Sequence, residues 1–389
     1  MLRVLSSGRL VGVDVARALA LVGMAATHIF PGFEPDGELH ASHAVASGRA
    51  SALFAVLAGV GLALASGGRH PLRGRALRAA RVGVVARAGL LLAVGLLLGR
   101  VESPPLVILA YYALLFLVAV PFLGLQARTL AVLAVASAVL APVASQLLRA
   151  PLDPPVVDEP GGGDLLVDLF LTGTYPVLTW TAYLFAGLAL GRTGLTGWLT
   201  PIRVAVVGAA LALGAKAASA VLLSAVGGSD RLDAAEGELL LPVDAALRSG
   251  LFGVTPTADW RWLTVSAPHS GTTFDLAHTI GTSMVVLGGC LLLARLVPRV
   301  ALVPLAAVGS MTFTLYTLHV LALAQDSPLL LDDRAQLWWA HVVVALVLAT
   351  GWRTTLGRGP LEAVAAWLDR TARRLAGGRT GREPVASRR

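Results

Sequence analysis

Three ionisable residues, Asp14, Arg17 and His28, interrupt the first long apolar run of the chain, LVGVDVARALALVGMAATHIF from Leu10 to Phe30. In hydrocarbon each would cost a few kcal/mol even on a lenient insertion scale, so together they belong against protein or a watery cavity. Arg17 and His28 are eleven positions apart. Eleven steps of ~100° return a helix to within about 20° of its start, so the two share a face, and Asp14 lies about 60° from Arg17 on it. A guanidinium fork matches oxyanions, so Arg17 suits a phosphate or a polarised donor, with Asp14 as the partner that positions it. About 16 Å further along that face, His28 could take a proton from a nucleophile or carry a transferred group itself. The structural alternative is an Asp14–Arg17 pair that only locks the helix into a bundle.

The elements that must hold this stripe are long apolar runs. The chain has 389 residues, 56% of them hydrophobic and 14% charged, far too apolar for a soluble protein of its size. Runs long enough to span a bilayer lie at roughly 10–30, 50–68, 82–99, 105–123, 128–148, 174–191, 202–226, 273–294, 301–323 and 335–353. The expectation is an all-α polytopic membrane bundle of about ten transmembrane helices over 1–357. The first run is too long and too polar for a cleaved signal and reads as a retained helix.

The net charge of +8 comes almost wholly from arginine, Lys216 being the only lysine. These cations sit between the runs and will meet anionic lipid before any nucleic acid. Arg3, Arg9, the cluster Arg69–Arg81, Arg128, Arg192, Arg203, Arg295, Arg299 and the tail from Arg370 to Arg379 all fall on one side. By the positive-inside rule both termini are cytoplasmic and the protein is multi-pass in the plasma membrane. The opposite side carries the long connections 31–49, 149–173 and 227–272, and a shorter one at 324–334. PLDPPVVDEPGGG, 151–163, reads as an irregular loop, and 227–272 is long enough to fold over the membrane face. Residues 358–376 read as an amphipathic helix on the inner interface, and 377–389 as a disordered basic tail.

On this topology seven of the eight histidines fall at the outer face: His28, His40, His43, His269, His278, His319 and His341; only His70 is cytoplasmic. The bias points to proton-transfer chemistry there. No HExxH, CxxC or HxH spacing is present, so no metal site is expected, and the single Cys290 excludes an intrachain disulfide. Asp275 and His278 are three apart and could pair on one helix face, and Tyr316 and His319 share that spacing; both pairs are candidates for binding substrate. Arg87, one turn into the third run, reads as a snorkelling or paired cation. Lys216 in the seventh run needs a partner or a pore, and with Asp275 it could instead be a coupling charge of a secondary transporter or of a lipid or sugar carrier. That reading calls for paired, broken helices in two halves, which the hydropathy does not display.

Four stretches resemble the transmembrane acyltransferases related to heparan-α-glucosaminide N-acetyltransferase: Val13-Asp14-Val15-Ala16-Arg17 with His28, SGRASALFAVLAGVGLALASGG, PHSGTTFDLAHTIG and MTFTLYTLHVLAL. The Arg-x10-His spacing is also similar to that of the acyltransferase-three membrane proteins. The resemblance implies transfer of an acyl group, acetyl foremost, from cytoplasmic acyl-CoA as co-substrate to a carbohydrate or lipid-linked acceptor outside, with no bound cofactor. The family's catalytic histidine falls on His40 of His40-Ala41-Ser42, with His43 standing where the family has Trp and Arg49 where an acid usually opens the next span. Under it His28, or His40, is the base or acyl carrier, and Arg49 or His269 steadies the oxyanion. An alanine-, glycine- and arginine-rich composition points to a GC-rich bacterial genome, so heparan itself is not the expected acceptor, and a homo-oligomer is compatible with the reading.

Overall fold

The computed structural model describes residues 9–152, 164–234, 239–325, 327 and 329–377. Residues 153–163 of the expected irregular loop and the basic tail from 378 lie outside them. The described residues are helical apart from loops and one isolated bridge, Phe33 to Leu39. In order they form α1 (Val11–Ile29), α2 (Ala41–Ala46), α3 (Arg49–Ala65), α4 (Gly74–Leu98), α5 (Leu109–Ala119), α6 (Ala127–Arg149), the single turn α7 (Leu165–Val167), α8 (Val177–Arg192), α9 (Thr200–Ala225), α10 (Val243–Ser249), α11 (Thr273–Leu296), α12 (Val303–Gly309), α13 (Thr312–Ala322), α14 (Arg334–Thr355) and α15 (Pro360–Leu375).

Helices occupy all ten apolar runs, but not as ten equal spans. Seven are long and apolar enough to cross a bilayer, or eight if the bent pair α12 and α13 counts as one. The runs at 105–123 and 174–191 hold short helices. Pro121 tightens the end of α5 into a 3₁₀ extension, and α8 has 16 residues, about 24 Å of rise against a hydrocarbon core of ~30 Å. The ninth run breaks by 77° at Ser310–Met311. The backbone groups freed there are met from another helix: the Glu362 carboxylate of α15 accepts from the N–H of Phe313 at 2.8 Å and of Thr314 at 3.1 Å, and from the Thr314 hydroxyl at 2.6 Å. It is an N-cap supplied in trans, with its negative charge at the positive end of α13.

The polar stripe sits at the centre of the bundle. α1 packs against α3, α11, α12 and α14, and Val13, Val15, Ala16 and Ala18 are fully enclosed. Gly309 is what lets α12 reach α1, because a Cβ there would fall on the Asp14 carbonyl. By contrast α6, α9 and α14 turn Val132, Leu213 and Val347 outward, each about two-thirds exposed or more. Apolar faces of that extent on peripheral helices belong against hydrocarbon. This is a membrane protein, all-α throughout its described residues.

Over one end of the bundle the connection between α9 and α11 folds back as a cap with a small core of its own, Leu232, Ala246, Leu251, Trp262, Val265 and Ala267. Trp262 is wholly buried and donates its indole N–H to the Asp233 carbonyl at 2.7 Å.

Candidate functional site

Two cavities meet on α1. The inner one, about 350 Å³, lies at the α15 end and is lined by Arg9, Arg17 and Arg87, with Glu362 and Asp369 on its α15 wall. The outer one, about 520 Å³, lies beneath the cap and is lined by His28, His43 and His269, with Thr27, Tyr175 and Phe252 among its other residues. Both volumes are in the range of small-molecule sites. Met24, Ile108 and Tyr316 line both, so they form the partition between them. The partition is latched: the Ile108 N–H donates to the Tyr316 hydroxyl oxygen at 3.2 Å.

The inner cavity is built on a buried carboxylate. Asp14 accepts from Arg9 at 2.8 and 2.9 Å through one oxygen and from Arg17 at 3.3 Å through the other. The Asp14–Arg17 pair therefore forms as the spacing requires, with Arg9 as an additional partner. Arg17 also donates to the Leu57 carbonyl at 3.4 Å, in room left by Gly61, where a Cβ would stand 2.8 Å from the guanidinium. Arg87 stands over the Phe116 ring, 5.6 Å from its centre. Asp14 fixes two guanidinium groups at a cavity wall and leaves their remaining N–H groups to an anion.

The outer cavity carries imidazoles. His28 Nδ1 is 3.0 Å from His319 Nε2. His43 Nε2 donates to the Phe30 carbonyl at 3.2 Å. His269 is the one non-glycine among the described residues with a left-handed backbone, φ 56°, and the edge of Tyr175 packs on its ring. Burial, with His43 beside it, pushes His269 down to about 4, so it is a neutral ring at physiological pH.

Several expected partnerships are replaced by others. Asp275 does not pair with His278; it accepts from the Gly271 N–H at 3.1 Å and so closes the loop that carries His269. A carboxylate at the start of a helix is drawn to nearby backbone N–H groups rather than to a side chain one turn on. His278 faces α9, donating from Nδ1 to the Ala212 carbonyl and accepting from Arg49 at 3.2 Å. Tyr316 and His319 likewise part, one to the partition and the other to His28.

His40 does not line the outer cavity. It caps α2, bonding Ser42 through Nδ1, while Nε2 lies 3.5 Å from Glu34 and the ring stacks on Phe30. Arg49 spends its fork on the Ala44 and Val45 carbonyls and on His278, so it braces the junction of α2 and α3 rather than reaching an oxyanion in the cavity. Lys216 of α9 donates to the Ser266 carbonyl at 2.8 Å, so its partner is the cap and not Asp275. The lining residues that were not among the expected site residues include the charged or polar Arg9, His43, Arg87, Tyr175, Glu362 and Asp369 and the partition residues Met24 and Ile108. Arg9, five positions before an in-span aspartate, had a readable signal.

Residues 9–214, just over half of the chain, match the family described as Heparan-alpha-glucosaminide N-acetyltransferase, catalytic. The chain belongs to that family. Among curated proteins no relative matches. The match to this N-acetyltransferase family covers α1 to α8 and part of α9, and so contains the Asp14–Arg17 pair, His28, His43 and the partition residues Met24 and Ile108. His269, Tyr316 and His319 lie beyond the matched residues, on the parts of the chain that close the site from the other side. Membership implies transferase activity in a membrane protein. No group of three or more histidine, cysteine, aspartate or glutamate side chains able to hold a metal occurs among the described residues.

Proposed function

We propose that this chain is an integral membrane acyltransferase. It takes an acetyl or similar acyl group from acyl-CoA in the inner cavity and passes it to a carbohydrate or lipid-linked acceptor in the outer one. The observation that carries the reading is the pair of cavities, arginine-walled on one side and imidazole-walled on the other, with only Met24, Ile108 and Tyr316 between. Arg9, Arg17 and Arg87 hold the phosphates of the donor, and the thin pantetheine arm runs along α1 to the partition. The acceptor hydroxyl or amine attacks the thioester carbonyl while His28 Nε2 takes its proton. The negative charge moves onto the carbonyl oxygen, and the tetrahedral adduct collapses by expelling the CoA thiolate. Tyr316 accepts from Ile108 and keeps its own proton, which it donates to the carbonyl oxygen.

In this reading the short helices α5 and α8 and the bent α12–α13 pair complete ten passes, with both termini and the Arg69–Arg81 loop in the cytoplasm of a cell whose plasma membrane holds the protein. The cap over 227–272 is then outside. Cysteines placed singly at His70 and Ser229 in a Cys290→Ala background report this directly: an impermeant thiol reagent on intact cells labels 229 and spares 70. The reverse pattern overturns the orientation.

The function is tested on detergent-purified protein with radiolabelled acetyl-CoA. Saturable binding that Arg17→Ala weakens and His28→Ala leaves intact supports it, together with labelled product formed only by a protein that keeps His28. A protein that binds no acyl-CoA but exchanges a labelled sugar or lipid across vesicles is a carrier, and the proposal fails.

A further inference from the structure

The outer cavity reaches the surface of the protein through an apolar mouth. Of the described residues that line it, the exposed ones are Pro104, Leu106, Leu241 and Phe252, and all four are apolar. Leu106, Leu241 and Phe252 stand 43%, 39% and 48% exposed, and the neighbouring residue on the cap, Leu240, 50%. The mouth lies where two helices are too short for the bilayer. Pro104 and Leu106 precede α5, which has 11 residues before its 3₁₀ extension, and the lining residues Thr174 and Tyr175 precede α8, which has 16. About 24 Å of helix leaves the residues before it level with acyl chains, because the hydrocarbon core is ~30 Å thick. The turn Asp168–Thr172 packs on both helices and carries Phe170, which is exposed as well. Behind the mouth the lining changes character. Thr27, His43, His269 and Tyr175 stand there, with no carboxylate or guanidinium among the described lining residues. The Tyr175 hydroxyl donates to the Leu106 carbonyl at 3.4 Å, which ties the polar interior to the rim. The inner cavity has no such opening: its described lining residues are buried or half-buried.

We infer that the acceptor is an amphiphile that enters from the bilayer, with an uncharged, hydroxyl-bearing head in the cavity beside His28 and an apolar chain left in the lipid through the mouth. The inference rests on the reading of the outer cavity as the acceptor site. A charged head would give up its hydration and meet no opposite charge on the described walls, whereas hydroxyls find imidazole nitrogens and other hydroxyls to bond. A water-soluble sugar would fill the polar interior and leave Leu106, Leu241 and Phe252 bare. An apolar chain covers them. A molecule already held in the membrane reaches the mouth by moving in the plane of the bilayer, and its head passes from the headgroup layer straight into the cavity.

Photolabelling of the full-length protein in phosphatidylcholine nanodiscs decides this without turnover. The probe is octyl glucoside with a diazirine at the end of its chain. It should mark the peptides that hold Leu106, Leu241 and Phe252, three segments far apart in sequence. An excess of plain octyl glucoside should remove the mark, and octanol, a chain without a head, should not. Leu106→Asn combined with Phe252→Asn places amides against the chain. Both side chains are close to half exposed, so the melting temperature should hold while labelling falls about tenfold, the loss of contact for about two methylenes. Label spread over the lipid-facing α6, α9 and α14 and undiminished by octyl glucoside, or label absent from the mouth, overturns the inference. Specific labelling of the mouth in a protein that binds no acyl-CoA leaves the amphiphile site standing and removes the proposed function instead. Transfer from acetyl-CoA to methyl glucoside, with the mouth unlabelled by the octyl probe, does the reverse.

Discussion

The two cavities on α1 treat polar groups in opposite ways. On the inner side charge is kept and held in place: one buried carboxylate, Asp14, anchors two arginines, and α15 brings Glu362 and Asp369 to the opposite wall. On the outer side the cavity is lined by three imidazoles, His28, His43 and His269, and by the phenols of Tyr175 and Tyr316, with no carboxylate or guanidinium among its described lining residues. A charged wall suits a ligand that brings its own charge and must be held. Uncharged imidazoles suit proton transfer, since each can accept a proton only while neutral. The division of labour is thus written into which side chains are allowed to ionise, and each prediction below strikes one side while sparing the other.

The largest effect is expected at His28. His28→Ala should cut turnover by about 10²–10⁴ while acyl-CoA still binds, so a loss of kcat at unchanged donor affinity is the measurement. Loss of donor binding in this variant would show that the two cavities are not separate in function. The mirror experiment is Arg17→Ala, which removes a charge-assisted contact worth ~1.5–3 kcal/mol and should weaken acyl-CoA binding by about 10–100-fold. Arg9 still pairs with Asp14 in that variant, so its melting temperature should stay close to wild type. A collapse of stability with no change in affinity would return the Asp14–Arg17 pair to a structural role.

A smaller and one-sided effect is expected at Gly309, where α12 lies on the Asp14 backbone. Gly309→Ala forces the two helices apart and should cost ~1–3 kcal/mol of stability, the usual range for overpacking. Gly309 lines the inner cavity and not the outer, so donor affinity should fall before any outer-side property changes. A variant with wild-type stability and affinity would mean that α12 yields where the packing says it cannot.

The sequence disclosed these two sides unequally. Arg17 and Asp14 were readable because charge inside an apolar run needs an explanation and a helix fixes which residues share a face. Helix existence was readable for the same reason, run by run. The partition was not readable, since Met24, Ile108 and Tyr316 come from three separate runs and nothing in an apolar sequence says which will touch. Spacing suggested the Asp275–His278 pair and the resemblance suggested roles for His40 and Arg49, but the contacts each makes are local: Asp275 takes a backbone N–H, His40 caps its own helix, and Arg49 takes the carbonyls at the end of α2. Glu362 was hidden because its partner is the end of a helix broken 77°, and a break between two apolar stretches leaves only Gly309 and Ser310 as a trace.

The smallest predicted effect concerns acidity on the outer side, where His269 sits in the loop before α11. Burial and the neighbouring His43 hold it down to about 4, against 6.5 for an exposed imidazole. As pH falls through 6.5 the unfolded chain takes up this proton first and the folded one resists until about 4, so folding loses stability across that window and gains nothing from it above 6.5. His269→Gln lacks the ionisation. The wild type should therefore lose more apparent melting temperature than this variant between neutral pH and about pH 5, by about 2–4 °C for each kcal/mol lost. The inner side has no histidine among its lining residues, so Arg17→Ala should track the wild type over the same range. If wild type and His269→Gln fell in parallel, His269 would be solvated and charged at low pH, and the outer cavity would not be the neutral chamber that proton transfer by His28 requires.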